Sequence, residues 1–299
     1  MLDPITDPMQ FAFMQRALIQ IIIVGALCGL VGSFVVLRSL AFIGDALVHA
    51  VFPGVVLSSI LGWNIMIGAF VFGGLTALSI GLLTRNRRVG HDTAIGVVFA
   101  AFFALGIVLI SRQQGFRQDL SSLLFGNILG VSRSDIIISL VVALLVAAIV
   151  LALFKELLLV AFDSVMAASA GYPVFALDML LLLLVTTTVV VSLQTVGNLL
   201  ILALLVTPAA GARLLTDRLY RMLALSVLIA VASGVAGLYI SYHAGVSTSG
   251  AIALTATGVF LLAYTCAPRH GVLSQWLLHR RGLHHAHHYH PHDEELDVH

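Results

Sequence analysis

The sequence predicts an all-α integral membrane protein, a polytopic bundle of eight to nine transmembrane helices with one short amphipathic helix beside it. Three observations predict this. Hydrophobic residues make up 60% of the 299 and charged residues only 10%, against about 25% charged in ordinary soluble domains. The mean hydropathy is +1.08. Apolar runs near the roughly 20 residues that a bilayer crossing needs recur along most of the chain.

Nine such runs fall near 17–37, 40–61, 64–84, 93–111, 135–154, 174–193, 195–214, 219–242 and 246–266. Asp3 and Asp7 precede the first without any base, unlike a secretory signal peptide, so that run is expected to be retained as a span. The positive-inside rule tests the count. With the N-terminus outside and nine crossings, the inner segments hold Arg38, Arg85, Arg87, Arg88, Lys155, Arg213, Arg218, Arg221, Arg269, Arg280 and Arg281, and only Arg16, Arg112, Arg117 and Arg133 lie outside. The C-terminus is then cytoplasmic. The half-apolar stretch 115–134 is expected to fold back as a short helix covered by protein. Cys28 and Cys266 both sit in apolar runs, giving neither a disulfide framework nor a CxxC metal site.

The second run, "LAFIGDALVHAVFPGV", carries Asp45 and His49 inside oily sequence. Four residues apart, they share one helix face. An aspartate near the bilayer centre costs about 2.5–3.5 kcal/mol on insertion scales, so such residues mark an ion path, a proton relay or a structural pair. Carboxylate oxygen and imidazole nitrogen are donors that manganese, iron and zinc accept. Pro53 has no N–H to give the carbonyl of His49, so the helix is expected to bend or break just past the pair. His49 satisfying Asp45 for packing alone is the plainer alternative. Two ligands do not close a metal site, but a second copy about a two-fold axis would double them.

Between the fifth and sixth runs, a short amphipathic helix is expected at Phe162–Ala170, stopped by Gly171 and Pro173. It reads either as a simple connector or as a docking knob for a soluble partner. Lys155 is the single lysine and no GxxxxGK[ST] occurs, so the chain has no P-loop and is not itself expected to be an enzyme. Residues 1–268 read as one membrane domain and 269–299 as a polar tail lacking apolar pattern, expected to be disordered. From His279 onward that tail holds eight of the twelve histidines. His284, His285, His287, His288, His290 and His292 suggest weak cytosolic metal binding. Elsewhere, Asp178 suits the N-terminal dipole of the sixth span, His243 is expected to be solvated, and His91 with Asp92 to lie in a charged loop. Asn198 and Thr207–Pro208 could either bend the seventh span or line a path.

Four segments resemble the membrane permeases of bacterial ABC importers for manganese, zinc or iron. They are the D-x-x-x-H run above, "DLSSLLFGNILGVS" from Asp119, "FDSVMAASAG" from Phe162 with its F-D-x-x-x-A-x-x-x-G pattern, and "VGNLLILALLVTPAAGARLL" from Val196. The resemblance covers nearly all of 11–268. It implies a multi-pass protein of the bacterial cytoplasmic membrane, paired with a second copy of itself. Two cytoplasmic ATP-binding subunits and an extracellular metal-binding solute-binding protein complete the assembly, and no nucleic-acid partner is expected. On that pattern Asp45 and His49 coordinate the ion in transit, and Asp119 is an entrance or gate candidate. Phe162, Asp163, Ala167 and Gly171 belong to a coupling helix on the ATPase. No cofactor is bound permanently; the ion is cargo. The asparagine of "FGNIL" resembles manganese-type members.

Three rivals stay open: a permease for a chelated, siderophore-type metal, an ATP-independent transporter or exporter, and a metal sensor signalling through its tail. Because metal ligands must be deprotonated, acid is expected to weaken transport.

Overall fold

The structure, a computed structural model, describes residues 10–85, 89–111 and 128–267. Among these residues the regular structure is helix, with no strand. The helices in order are α1 (Ala12–Leu37), α2 (Ile43–Ala50), α3 (Phe52–Leu61), α4 (Ile65–Thr84), α5 (His91–Ser111), α6 (Arg133–Ala152), α7 (Phe154–Phe162), α8 (Ser164–Ser169), α9 (Val174–Val196), α10 (Asn198–Leu215), α11 (Leu219–Ala244) and α12 (Thr248–Cys266). Helix is the natural answer for these runs, because a backbone in lipid must satisfy its own polar groups. Taken as one unit, Ile43–Leu61 joins α1, α4, α5, α6, α9, α10, α11 and α12 to give nine candidate spans among the described residues.

Local signals set the ends. The Asn64 side chain accepts from the Met66 N–H at 2.9 Å and opens α4. Ser132 and Asp135 form a reciprocal capping box at the start of α6, satisfying two orphan donors.

α1 runs through the core and packs on α6, α9, α10 and α11. Small residues let helices close on one another where lipid offers no hydrophobic drive for association. Gly32 is the clearest case, since a Cβ there would collide with the carbonyl oxygen of Leu205 in α10. Polar ties add direction. Gln20 of α1 is fully buried, and its Nε2 donates to Ser139 Oγ of α6 at 2.9 Å and Thr195 Oγ1 of α9 at 3.0 Å.

The described basic residues separate between the two ends of the bundle. At one end Arg213 Nη1 donates to the carbonyl of Val36 at 3.3 Å, and Arg85 lies over the Phe175 ring at 5.1 Å. At the other, Arg16 reaches the carbonyl of Val131, 3.5 Å away.

Several expectations change in detail. The second span is two helices, because α2 stops at Ala50 and α3 begins at Phe52, with Pro53 in its first turn; this is the break expected from Pro53. The segment after α6 holds an additional helix, α7, which starts after Leu153 departs from helical geometry (φ −105°, ψ 24°). His91 and Asp92 open α5 rather than occupying a loop, and both are exposed. Pro208 sits within α10, which continues through it. His243 is exposed near the end of α11, its Nδ1 2.9 Å from the carbonyl oxygen of Tyr239. Asp119, most of 115–134, Arg87, Arg88 and the histidines of 269–299 lie outside the described residues.

Candidate functional site

α2 brings Asp45 and His49 onto one face, as their spacing predicts. His49 Nε2 lies 3.5 Å from Asp45 Oδ1, and the two side chains are 29% and 45% exposed. All other residues of α2 are buried, so the helix is anchored by its apolar faces and leaves this pair partly exposed. A carboxylate and an imidazole left open on an otherwise oily bundle are costly unless something polar meets them.

Aromatic rings fix the imidazole. Phe103 and Phe99 of α5 meet the His49 ring edge to face at centroid distances of 5.3 and 5.7 Å, and those two phenylalanines stack on each other at 5.8 Å. Phe52 of α3 adds a tilted contact to Phe103. The wall is built from residues four apart on α5, and sequence alone gives no reason to connect it with His49.

The third polar group comes from far along the chain. Asn198 Nδ2 lies 3.3 Å from His49 Nε2. Asn198 is 7% exposed, and its Oδ1 is buried with no hydrogen-bond partner, a state that costs about 1–3 kcal/mol. Gly197, with φ 79° and ψ 168°, joins α9 directly to α10 and fixes where Asn198 starts the helix. Only glycine is at ease in that region of backbone space. Asn198 therefore starts α10 beside the Asp45–His49 pair. Among the described residues no three His, Cys, Asp or Glu side chains gather into a metal cluster. One chain thus offers a carboxylate, an imidazole and a neutral amide, which is an incomplete metal set.

A second feature lies at the end of the bundle that holds Arg38. Asp163 Oδ1 accepts from the N–H groups of Val165 and Met166, at 2.9 and 2.8 Å, and caps α8. Gly171, at φ 85°, ends it: its N–H bonds to the carbonyl of Ala168, while the Tyr172 N–H bonds to that of Ala167, both at 3.1 Å. This paired return is the Schellman arrangement. Ala167 is fully buried, whereas Phe162, Val165 and Met166 are 63%, 61% and 58% exposed. The F-D-x-x-x-A-x-x-x-G pattern therefore has a structural meaning: a cap, a buried anchor and a stop hold an apolar knob outward. The observed helix, Ser164–Ser169, is shorter than the expected Phe162–Ala170, because Asp163 is its cap and Phe162 ends α7.

Asp178 was expected to answer a helix dipole, but it lies beyond the first turn of α9. It pairs instead with Arg38.

Residues 10–267 match the profile of the ABC 3 transport family. The chain belongs to that family. Among similar proteins, the manganese transport system membrane protein MntC of Halalkalibacterium halodurans is 44% identical over 268 residues, covering 90% of this chain and 92% of its own. The manganese import system permease protein ScaB of Streptococcus gordonii is 42% identical over 265 residues, covering 89% and 95%. A solved structure, PsaBC from Streptococcus pneumoniae in complex with Fab, aligns with a TM-score of 0.80 at 40% identity, over 93% of this chain and 99% of that one. These family relationships span the site and the apolar knob alike.

Proposed function

We propose that the chain is the membrane-spanning permease subunit of an ATP-binding-cassette importer that moves a divalent transition metal, manganese by preference, into the cytoplasm. The observation that carries this reading is the Asp45–His49 pair, 3.5 Å apart and open on a buried helix of an apolar bundle. The manganese named for the MntC and ScaB relatives supports the choice of cargo.

In this reading a second copy faces the first and completes the coordination set. The Phe162–Gly171 segment docks into a cytoplasmic ATP-binding subunit, one per copy, and the exposed Phe162, Val165 and Met166 supply the apolar contact. Hydrolysis belongs to those subunits. An extracellular solute-binding protein delivers the ion. The Arg38 end faces the cytoplasm, with the N-terminus outside and the tail 269–299 inside; its histidines, with Asp119 at the entrance, stay secondary parts of the proposal.

The mechanism follows from differential affinity, because a conformational change releases an ion only if the second state binds it less well. The two Asp45–His49 sets converge to take the ion from outside. ATP-driven motion of the Phe162–Gly171 knob passes through α7 and α9, spreads the sets and frees the ion inward.

The test is uptake of manganese, zinc and iron in proteoliposomes holding the chain with its ATPase, for the native protein and for Asp45→Ala and His49→Ala. ATP-dependent manganese uptake is expected to vanish in both variants while the complex still assembles. Normal uptake by both would make the pair structural. Uptake only of a chelate, or uptake that ignores ATP, would favour the corresponding rival.

A further inference from the structure

We infer that Asn198 is a third ligand of the transported ion, donating through its side-chain oxygen, and that it tilts the site from zinc towards manganese. The inference rests on the reading of Asp45 and His49 as the transit pair.

Two polar heads converge on one imidazole nitrogen. His49 Nε2 is 3.5 Å from Asp45 Oδ1 and 3.3 Å from Asn198 Nδ2. The Asn198 side chain is more than nine-tenths buried, yet its Oδ1 has no donor to accept from. Buried polar groups in proteins are normally satisfied, and an orphan calls for a reason. A cation beside His49 supplies it. In the metal-free arrangement Asn198 Nδ2 lies within hydrogen-bond distance of Nε2, and in the tautomer that leaves Nε2 unprotonated the amide N–H donates to its lone pair. When the ion takes that lone pair, the N–H loses its acceptor. The terminal torsion of asparagine is soft and roughly two-fold, so the amide can turn over and bring Oδ1 to the ion. One side chain then guards the empty imidazole and ligates the loaded one.

The mounting suits this role. Asn198 stands at the first position of α10, directly after Gly197, whose φ of 79° and ψ of 168° fix the chain direction. Ligands on rigid elements hold geometry better than ligands on loops.

The chemistry then predicts selectivity. Asp45 and His49 from two copies give four donors, the number zinc prefers. Adding Asn198 from each copy makes six, with four of them oxygen, a set that suits manganese better. The added oxygen is neutral, so it raises the coordination number without raising the charge that must later be released.

The experiment compares Mn2+ and Zn2+ binding to the purified permease–ATPase complex, by Mn2+ electron paramagnetic resonance with zinc competition, for the native chain, Asn198→Leu, Asn198→Asp and Asp45→Ala. Asn198→Leu is expected to weaken manganese at least tenfold more than zinc, whereas a purely structural role would weaken both alike. Asn198→Asp keeps an oxygen in place and is expected to hold the manganese preference; losing it as the leucine variant does would overturn the inference even if that variant folds poorly. If Asp45→Ala abolishes binding while Asn198→Leu leaves the preference unchanged, the inference fails and the transit pair stands. If Asp45→Ala also binds normally, the pair and the inference fall together.

Discussion

Arg38, capping the end of α1, closes onto Asp178 of α9 and also donates from Nη2 to the carbonyl oxygen of Val160 in α7, 2.9 Å away. One guanidinium therefore joins the core helix α1, the span α9 and the short helix that leads into α8. The two side chains are only 13% and 27% exposed, so solvent screens the pair weakly. Removing one partner of a fully buried pair costs about 3–5 kcal/mol, and this partly exposed one should cost about 2 kcal/mol. Arg38→Ala is expected to lower thermal stability in detergent and to loosen the link between ATP hydrolysis and uptake. Arg38→Lys should recover only part of it, because lysine lacks the planar fork that reaches two acceptors. In a double-mutant cycle, adding Asp178→Ala to Arg38→Ala should cost little more than Arg38→Ala alone. Full additivity would mean that the pair contributes nothing.

The apolar knob gives a separate prediction. Met166 and Val165 are exposed, and Asp163 with Gly171 shapes the turn around them without their help. Met166→Glu should therefore leave the fold intact while reducing recovery of the ATPase with the permease several-fold. Gly171→Val acts differently: it forces a β-branched residue to φ 85°, a left-handed conformation costing about 1–2 kcal/mol, and should disturb the knob itself. Stoichiometric ATPase recovery with Met166→Glu would count against docking at this face.

What the sequence made legible follows a physical rule. Spans were readable because each is a local apolar run whose backbone must bond within itself, and the break at Val51 was readable because Pro53 lacks a donor. Asp45 and His49 were readable because four residues on a helix fix their neighbourhood. The partners of that pair were not. Asn198 lies 149 residues from His49, and Phe99 and Phe103 look like ordinary span residues until the helices pack. Asp178 misled for the same reason: its local position suggested a dipole, while its actual partner, Arg38, is 140 residues away. Local chemistry is written in sequence, and tertiary pairing between helices is not.

Gln20 tests how much a polar tie inside the bundle contributes. Its Nε2 bridges Ser139 and Thr195, yet its Oε1 is buried without a partner. Interhelical hydrogen bonds in membranes average about 0.6 kcal/mol, with a maximum near 1.7. Gln20→Leu relieves the orphan oxygen while losing both bonds, and Thr195 Oγ1 keeps its bond to the Ser192 carbonyl at 3.2 Å. The net loss is expected to be about 1 kcal/mol or less by thermal unfolding in detergent. Gln20→Ala adds a cavity beneath α1 and should cost at least 1 kcal/mol more. Equal losses in the two variants would show that the hydrogen bonds, rather than the packing, dominate.

Gly197 offers the sharpest separation of site geometry from general stability. It sits at φ 79° and ψ 168° between two long helices, its N–H bonded to the Leu193 carbonyl at 3.2 Å and its own carbonyl accepting from Ile201 at 3.3 Å. Any side chain there pays about 1–3 kcal/mol for the backbone conformation, or else the turn relaxes. Relaxation would carry Asn198 away from His49, since Asn198 follows directly. Gly245 provides the control: it also has positive φ, at 64°, and a Cβ added there meets nothing within 4 Å. Gly245→Ala should lower stability by about 1 kcal/mol and leave manganese uptake per folded complex unchanged. Gly197→Ala should reduce that normalised uptake at least several-fold. The comparison needs both variants in the same proteoliposome assay, with folded protein quantified by size-exclusion chromatography. Equal normalised uptake in the two would mean that the turn at Gly197 serves only the fold and that the position of Asn198 does not matter to transport.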